Sequence, residues 1–154
     1  MPTTTQSTDR IEKQITLDAP RARVWRALTD VKQFNAWFGV SLETPFTAGA
    51  EVSGQITIPR YQHVTMTIWI ETMDPDRFFS FRWHPYAVEP GVDYSAEPTT
   101  LVSFTLEDAG AGTRLTIVES GFDAIPESRR AKAFSMNSAG WNGQAENLRK
   151  YLAN

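Results

Sequence analysis

Near the end of the chain the apolar residues Trp141, Ala145, Leu148 and Leu152 are spaced by four, three and four, which is one face of a 3.6-residue helix. Pro126 suits a first helical turn, and Glu127 follows it near the positive end of the helix dipole. The pattern therefore predicts a helix from about 126 to 152. The same face runs back through Ser138, Asn137 and Phe134. It is apolar at both ends and small or polar in the middle, where Asn137, Ser138, Gly140 and Gln144 fall. A helix built only to fill a core would not carry that gap, so the pattern implies that something else occupies the volume it faces.

Upstream, Ile11, Lys13, Ile15 and Leu17 alternate with polar residues and predict a strand. Val24, Trp25, Leu28 and Val31 recur at helical spacing, with Asp18 as the expected N-cap and Pro20 in the first turn. A second short helix, about 31–37, brings Phe34, Trp37 and Phe38 as core or pocket wall. From Val40 the chain turns to short β-rich runs, with strands expected near 40–43, 51–58, 63–73, 77–83, 100–107 and 113–120. Turn residues at 47–49, 59–60, 74–76 and 108–112 separate them, and connections this short favour an antiparallel meander. Phe79, Phe81 and Trp83 share one strand face, and Val102, Phe104 and Leu106 another. Leu115, Ile117 and Glu119 share a third, which leaves a carboxylate on an apolar side. In strand 63–73, Val64, Met66, Ile68 and Ile70 oppose Trp69, and the alternation assigns no inner face. The connection 84–98, HPYAVEPGVDYSAEP, is long for a hairpin, and long ordered loops tend to border binding sites. Helices gathered on one face of an antiparallel sheet make the fold class α+β.

Composition narrows the classes. With 154 residues one domain is expected, a polar, disordered tail at 1–10 followed by a single domain at 11–154. No cysteine is present, which excludes disulfides and thiolate chemistry, and His63 and His84 alone cannot build a histidine-rich metal site. Fifteen basic against 18 acidic residues leave a net charge of −3, and no basic run points to nucleic acid or an anionic membrane. Neither a secretory signal nor a membrane span is evident, so a cytoplasmic monomer or homodimer without metal or cofactor is expected.

Candidate chemistry is sparse. The motifs GxSxG, GxxxxGK[ST], GxGxxG and HExxH are all absent. Trp141 and Gly140 read either as a core plug with close helix–sheet packing or as cavity wall. A helix-interior glycine costs ~1 kcal/mol against alanine, so close packing or a helix irregularity is expected at Gly140 and Gly143. Asn137, Gln144 and Glu119 form a polar set that either satisfies itself or orients a ligand. Glu119, if buried, is the best acid/base candidate in the chain, with His84 the other. His84, Tyr86 and Tyr94 lie in or beside the long connection as a surface cluster or a pocket gate. Glu127, Arg129, Arg130 and Lys132 read as a solvated helix face.

The strings APRARVWRALTD, DPDRFFSFRW, GTRLTIVESGF and GW with a later Leu, in that order, resemble the family of activators of heat-shock-protein-90 ATPase homologues, within the START and pollen-allergen (SRPBCC) superfamily. The resemblance runs from about Ile11 to Leu152. It matches Pro20, Trp25, Trp37, Pro75, Trp83 and Gly112, then Thr113, Leu115, Gly121, Phe122, Gly140, Trp141 and Leu148. It implies the helix-grip fold, a curved antiparallel sheet with two short helices wrapped around a long terminal helix, with a cavity between sheet and helix. Nothing corresponds to the additional amino-terminal domain of the eukaryotic co-chaperone, so its activity is not carried over. The cyclases of the superfamily share the fold, but their catalytic pattern finds no match residue by residue. The expected function is binding of a small, mainly hydrophobic, aromatic or polycyclic molecule. Trp37, Phe81, Trp83, Phe104, Phe134 and Trp141 would form the wall, Tyr86 would join from the loop, and Asn137, Gln144 and Glu119 would supply polar contacts. The alternatives are a cyclase- or hydrolase-type enzyme using Glu119 or His84, and a chaperone-associated interaction module.

Overall fold

Short connections let each strand pair with its sequence neighbour. The strands are β1 (Arg10–Leu17), β2 (Val40–Leu42), β3 (Glu51–Ile56), β4 (Thr65–Asp74), β5 (Phe78–Trp83), β6 (Thr100–Ala109) and β7 (Gly112–Ser120). They form one antiparallel sheet in the order β1-β7-β6-β5-β4-β3-β2. The meander runs from β2 to β7, and β1 closes on β7 with Ile11 opposite Glu119 and Leu17 opposite Thr113. The helices are α1 (Arg21–Thr29), α2 (Val31–Phe38) and α3 (Glu127–Leu152), with a 3-10 turn at Phe122–Ala124 that the pattern did not predict. The structure, a computed structural model, describes residues 9–153, so most of the expected tail lies outside the described residues. Its last two positions are not tail: Arg10 opens β1, and the Asp9 carboxylate accepts from the backbone N–H of Gly121 and Asp123.

The helix caps differ from expectation. The N-cap of α1 is Pro20, with no side-chain cap, and the Pro20 carbonyl accepts from Arg23 and Val24. Asp18 therefore stands two residues too early to reach the first-turn N–H groups. Asp30 is the aspartate that caps, accepting from the Lys32 N–H at the start of α2. Gly39, at φ 90°, ends that helix in the left-handed conformation that glycine adopts without a Cβ clash.

The inner faces of the strands behave as alternation requires. Phe79, Phe81, Val102, Phe104 and Leu115 are wholly buried beneath Val24, Ala27, Leu28 and Phe34 of the short helices. Phe79 stacks between Phe46 and Phe104, with centroids 5.9 Å away on both sides. Burying each such side chain contributes about 1.5–3 kcal/mol, so this aromatic stack anchors the fold. In β4 the inward set is Met66, Ile68 and Ile70. Trp69 lies on the outer face, where its indole N–H donates to Glu51 at 2.7 Å and its ring edge meets His84. Both faces of this strand are thus partly covered, and that is why alternation alone did not resolve it. Along α3, Ala133, Trp141, Ala145 and Leu148 are buried while Gly140 is exposed.

Candidate functional site

Glu119 organises one end of the sheet. It occupies an inward position of β7, is fully buried, and meets side chains from three other elements. Its Oε1 accepts from Trp141 Nε1 at 2.8 Å and Asn137 Nδ2 at 3.0 Å, both from α3. Its Oε2 accepts from Trp83 Nε1 at 2.8 Å, Thr100 Oγ1 at 2.6 Å and again Asn137 Nδ2 at 3.0 Å. A carboxylate offers about four lone-pair sites, and these donors fill them. Burying this charge is tolerable because its partners are all donors. The consequence is steric as well as electrostatic, because two indoles from different elements are oriented by one carboxylate. Their rings lie 5.7 Å apart at 31°, with Phe38 edge-on to both.

These rings face a cavity of about 850 Å³. On the sheet side it is bordered by β3, β4 and the end of β5, with Met66 and Trp83 among the lining residues. On the helix side it meets Asn137, Gly140, Trp141 and Gln144 of α3, and residues 84–95 of the long connection enclose the rest. The polar and small gap in α3 therefore does face open volume. No neighbour lies within 4 Å of a Cβ placed at Gly140 or Gly143, so neither glycine serves close packing.

The long connection is held in place by side chains of its neighbours. Arg129 donates to the Pro85 and Tyr86 carbonyls at 2.8 and 3.2 Å and makes a two-point ion pair with Glu97, the shortest contact being 2.7 Å. Both side chains are 20% exposed, which places this pair well above the usual solvated one. Arg129 also lies 4.8 Å from the centroid of Tyr94, and Lys132 lies 5.8 Å from that of Tyr86. His63 Nε2 is 2.9 Å from the Val88 carbonyl and His84 Nε2 is 3.1 Å from the Glu97 carbonyl. The expected solvated face of α3 is thus corrected at Arg129, which acts as a clamp because a loop far away in sequence folds onto it. Tyr86 sits in the left-handed region at φ 47°, a strained turn that the contact from Arg129 to its carbonyl supports.

Of the expected wall, the structure brings Trp83, Tyr86, Asn137, Trp141 and Gln144 to the cavity, with His84 and Tyr94 beside them. Phe81 and Phe104 lie deeper in the core, and Phe134 packs against Phe122 at 5.1 Å. The Trp37 ring is also core, its N–H donating to the Ala27 carbonyl. Glu119 stands behind the wall rather than in it. Alternation identifies an inward face but not the depth of a residue along the sheet, so these aromatic rings all looked alike. Phe38, offered from the second helix as core or pocket wall, lines the cavity, while Met66, Thr100 and Arg129 were participants that pattern reasoning missed as site residues. Of these Met66 alone carried a signal, as one of the alternating apolar residues of strand 63–73.

The sheet, the terminal helix and the cavity between them define a helix-grip domain. A sequence model of the family described as Activator of Hsp90 ATPase homolog 1-like protein matches residues 18–153, and the chain belongs to that family. DynU16, a protein of the dynemicin biosynthetic locus, is 25% identical at a TM-score of 0.74, over 95% of this chain and 48% of its own length. The chain thus spans about half of DynU16. Protein MLL2253 from Mesorhizobium loti is 22% identical at a TM-score of 0.74, over 94% of this chain and 96% of that one. Aha1 from Colwellia psychrerythraea, solved as a dimer, is 15% identical at a TM-score of 0.70, over 93% and 95%. At these identities the last two show the fold alone. No curated protein matches the sequence significantly. Among the described residues, no helix is long and apolar enough to cross a membrane.

Proposed function

We propose that this domain binds a mainly apolar, aromatic or polycyclic organic molecule in the cavity between β3–β5, the 84–98 connection and the middle of α3. The observation that carries the reading is the coincidence of the 850 Å³ volume with the gap in the α3 stripe, opposite the Trp83 and Trp141 rings. The volume suits a drug-sized ligand, for which pockets run about 300–1,000 Å³. Exposed apolar surface supports the same place: the large hydrophobic residues Ile58, Val92 and Met136 are all exposed, and all three border this cavity. That distribution favours a ligand site over a separate protein-docking face. No catalytic group is assigned, since the Glu119 oxygens are filled by donors behind the wall and His84 Nε2 lies against a backbone carbonyl.

Titration with the neutral fluorophore N-phenyl-1-naphthylamine tests the reading. Saturable binding with quenching of tryptophan emission is expected, together with a 1:1 complex in native mass spectrometry. Absence of saturable binding by this probe and by a library of polycyclic compounds would overturn it.

A further inference from the structure

The hydrogen-bond inventory of the cavity wall is lopsided. The indoles that border the cavity have spent their only polar hydrogens on carboxylates: Trp83 and Trp141 on Glu119, and Trp69, which borders it from the outer face of β4, on Glu51. Indole N–H is a donor and nothing else, so these rings offer the cavity only their π faces. One hydrogen of the Gln144 NH2 is spent on the Phe38 carbonyl, and the Gln144 carbonyl oxygen accepts from Asn147. The Nε2 atoms of His63 and His84 are likewise turned to carbonyls, which can only accept. Asn137 points its NH2 at both oxygens of Glu119, an orientation fixed by chemistry because its carbonyl could not face a carboxylate. Its carbonyl oxygen is left without a protein partner. What remains among the lining side chains is one Gln144 amide hydrogen, acceptors, and tyrosine, threonine and serine hydroxyls that both donate and accept.

Charge points the same way. Glu51, Glu89 and Asp93 line the cavity, and no Lys or Arg does. The neighbouring cations are accounted for: Arg129 is neutralised by Glu97 behind Tyr94, and Lys132 sits behind Tyr86. The Ser95 backbone N–H, then its hydroxyl, hold the Asp93 carboxyl below the usual carboxylate range, so this charge persists at neutral pH. Aromatic π faces combined with carboxylates are the arrangement that stabilises organic cations.

Resting on the binding reading above, we infer that the cavity selects its ligand by charge: it takes aromatic molecules bearing an ammonium or other hydrogen-bond donor and rejects carboxylates, sulfonates and phosphates. An anionic head entering this wall would find carboxylates and unspent acceptors, with no cation to receive it. An ammonium would find the Asn137 carbonyl, the Glu89 and Asp93 side chains and the indole faces.

The test is displacement of N-phenyl-1-naphthylamine by three compounds with one body, 4-(1-naphthyl)butylamine, the corresponding butanol and the corresponding butanoate. The amine is expected to compete at least about tenfold more tightly than the butanoate, a difference of about 1.4 kcal/mol, with the alcohol between them. Glu89→Gln/Asp93→Asn, two exposed substitutions on the loop, is expected to narrow that ratio about threefold or more, and added salt to narrow it further. If the fluorophore binds but the butanoate competes as well as the amine, the charge inference falls and the binding reading stands. An unchanged ratio in the double variant would likewise overturn it. Should no probe bind at all, both fall together.

Discussion

The two ends of one sheet both carry aromatic rings and use them oppositely. At the packed end, Phe79 is stacked between Phe46 and Phe104, and Ala145 and Leu148 of α3 are buried. At the other end, Trp83 and Trp141 are tied by their N–H groups to Glu119 and stand as a partition with open volume beyond them. Phenylalanine has no polar handle, so its rings collapse onto one another until no space remains. Tryptophan has one, and a buried acceptor can hold the ring in place without filling the space in front of it. Glu119 thus does for the cavity what close packing does for the core. The residues of α3 continue the contrast, since Asn137, Gly140 and Gln144 supply too little apolar bulk to close the gap.

Substitutions at the two ends should separate these two ways of holding a ring. The largest effect is expected from Phe79→Ala, which removes a wholly buried ring from the stack and should cost about 3–5 kcal/mol in denaturant unfolding. A loss under about 1 kcal/mol would show that the stack is not the anchor of the packed end. Glu119→Gln keeps the shape but replaces one acceptor oxygen with an NH2 that faces donors. It should cost about 2–3 kcal/mol and change the near-ultraviolet circular dichroism of the Trp83–Trp141 pair. Undisturbed tryptophan signals in this variant would break the claim that the carboxylate sets the partition.

The fold was largely legible because periodicity reports which face of an element is buried, and each strand and helix has one dominant face. The same periodicity exposed Glu119 as a carboxylate on an apolar side. Asn137 groups with it in the sequence as a polar set, but Trp83, Thr100 and Trp141 were not legible as partners, because they lie 19 to 36 residues away and meet it only through the sheet's closure. Arg129 was hidden for a related reason: four charged residues in a helix's first turns ordinarily face water, and nothing local indicates that Glu97 folds back over them. Phe81 and Phe104 were placed on the correct face yet at the wrong depth, since alternation carries no information about position along the sheet. Asp18 failed as a cap because Pro20, expected inside the helix, stands at its boundary.

The smallest expected effect sharpens the comparison most, because it separates stability from site. Gly140 and Gly143 are both interior to α3, and a Cβ at either meets nothing within 4 Å. Helix propensity alone then predicts that Gly140→Ala and Gly143→Ala each stabilise the fold by ~1 kcal/mol, visible as a rise of a few degrees in Tm. The two positions differ in what they face, since Gly140 borders the cavity and Gly143 does not. A methyl at 140 takes volume from the site, so Gly140→Ala should weaken N-phenyl-1-naphthylamine binding while Gly143→Ala leaves it unchanged. Equal stabilisation with divergent affinity would mean that the glycine at 140 preserves space for a ligand at the expense of helix stability. Equal affinities would mean that the bound molecule keeps clear of α3, and the wall would then have to be assigned to the sheet and the long connection alone.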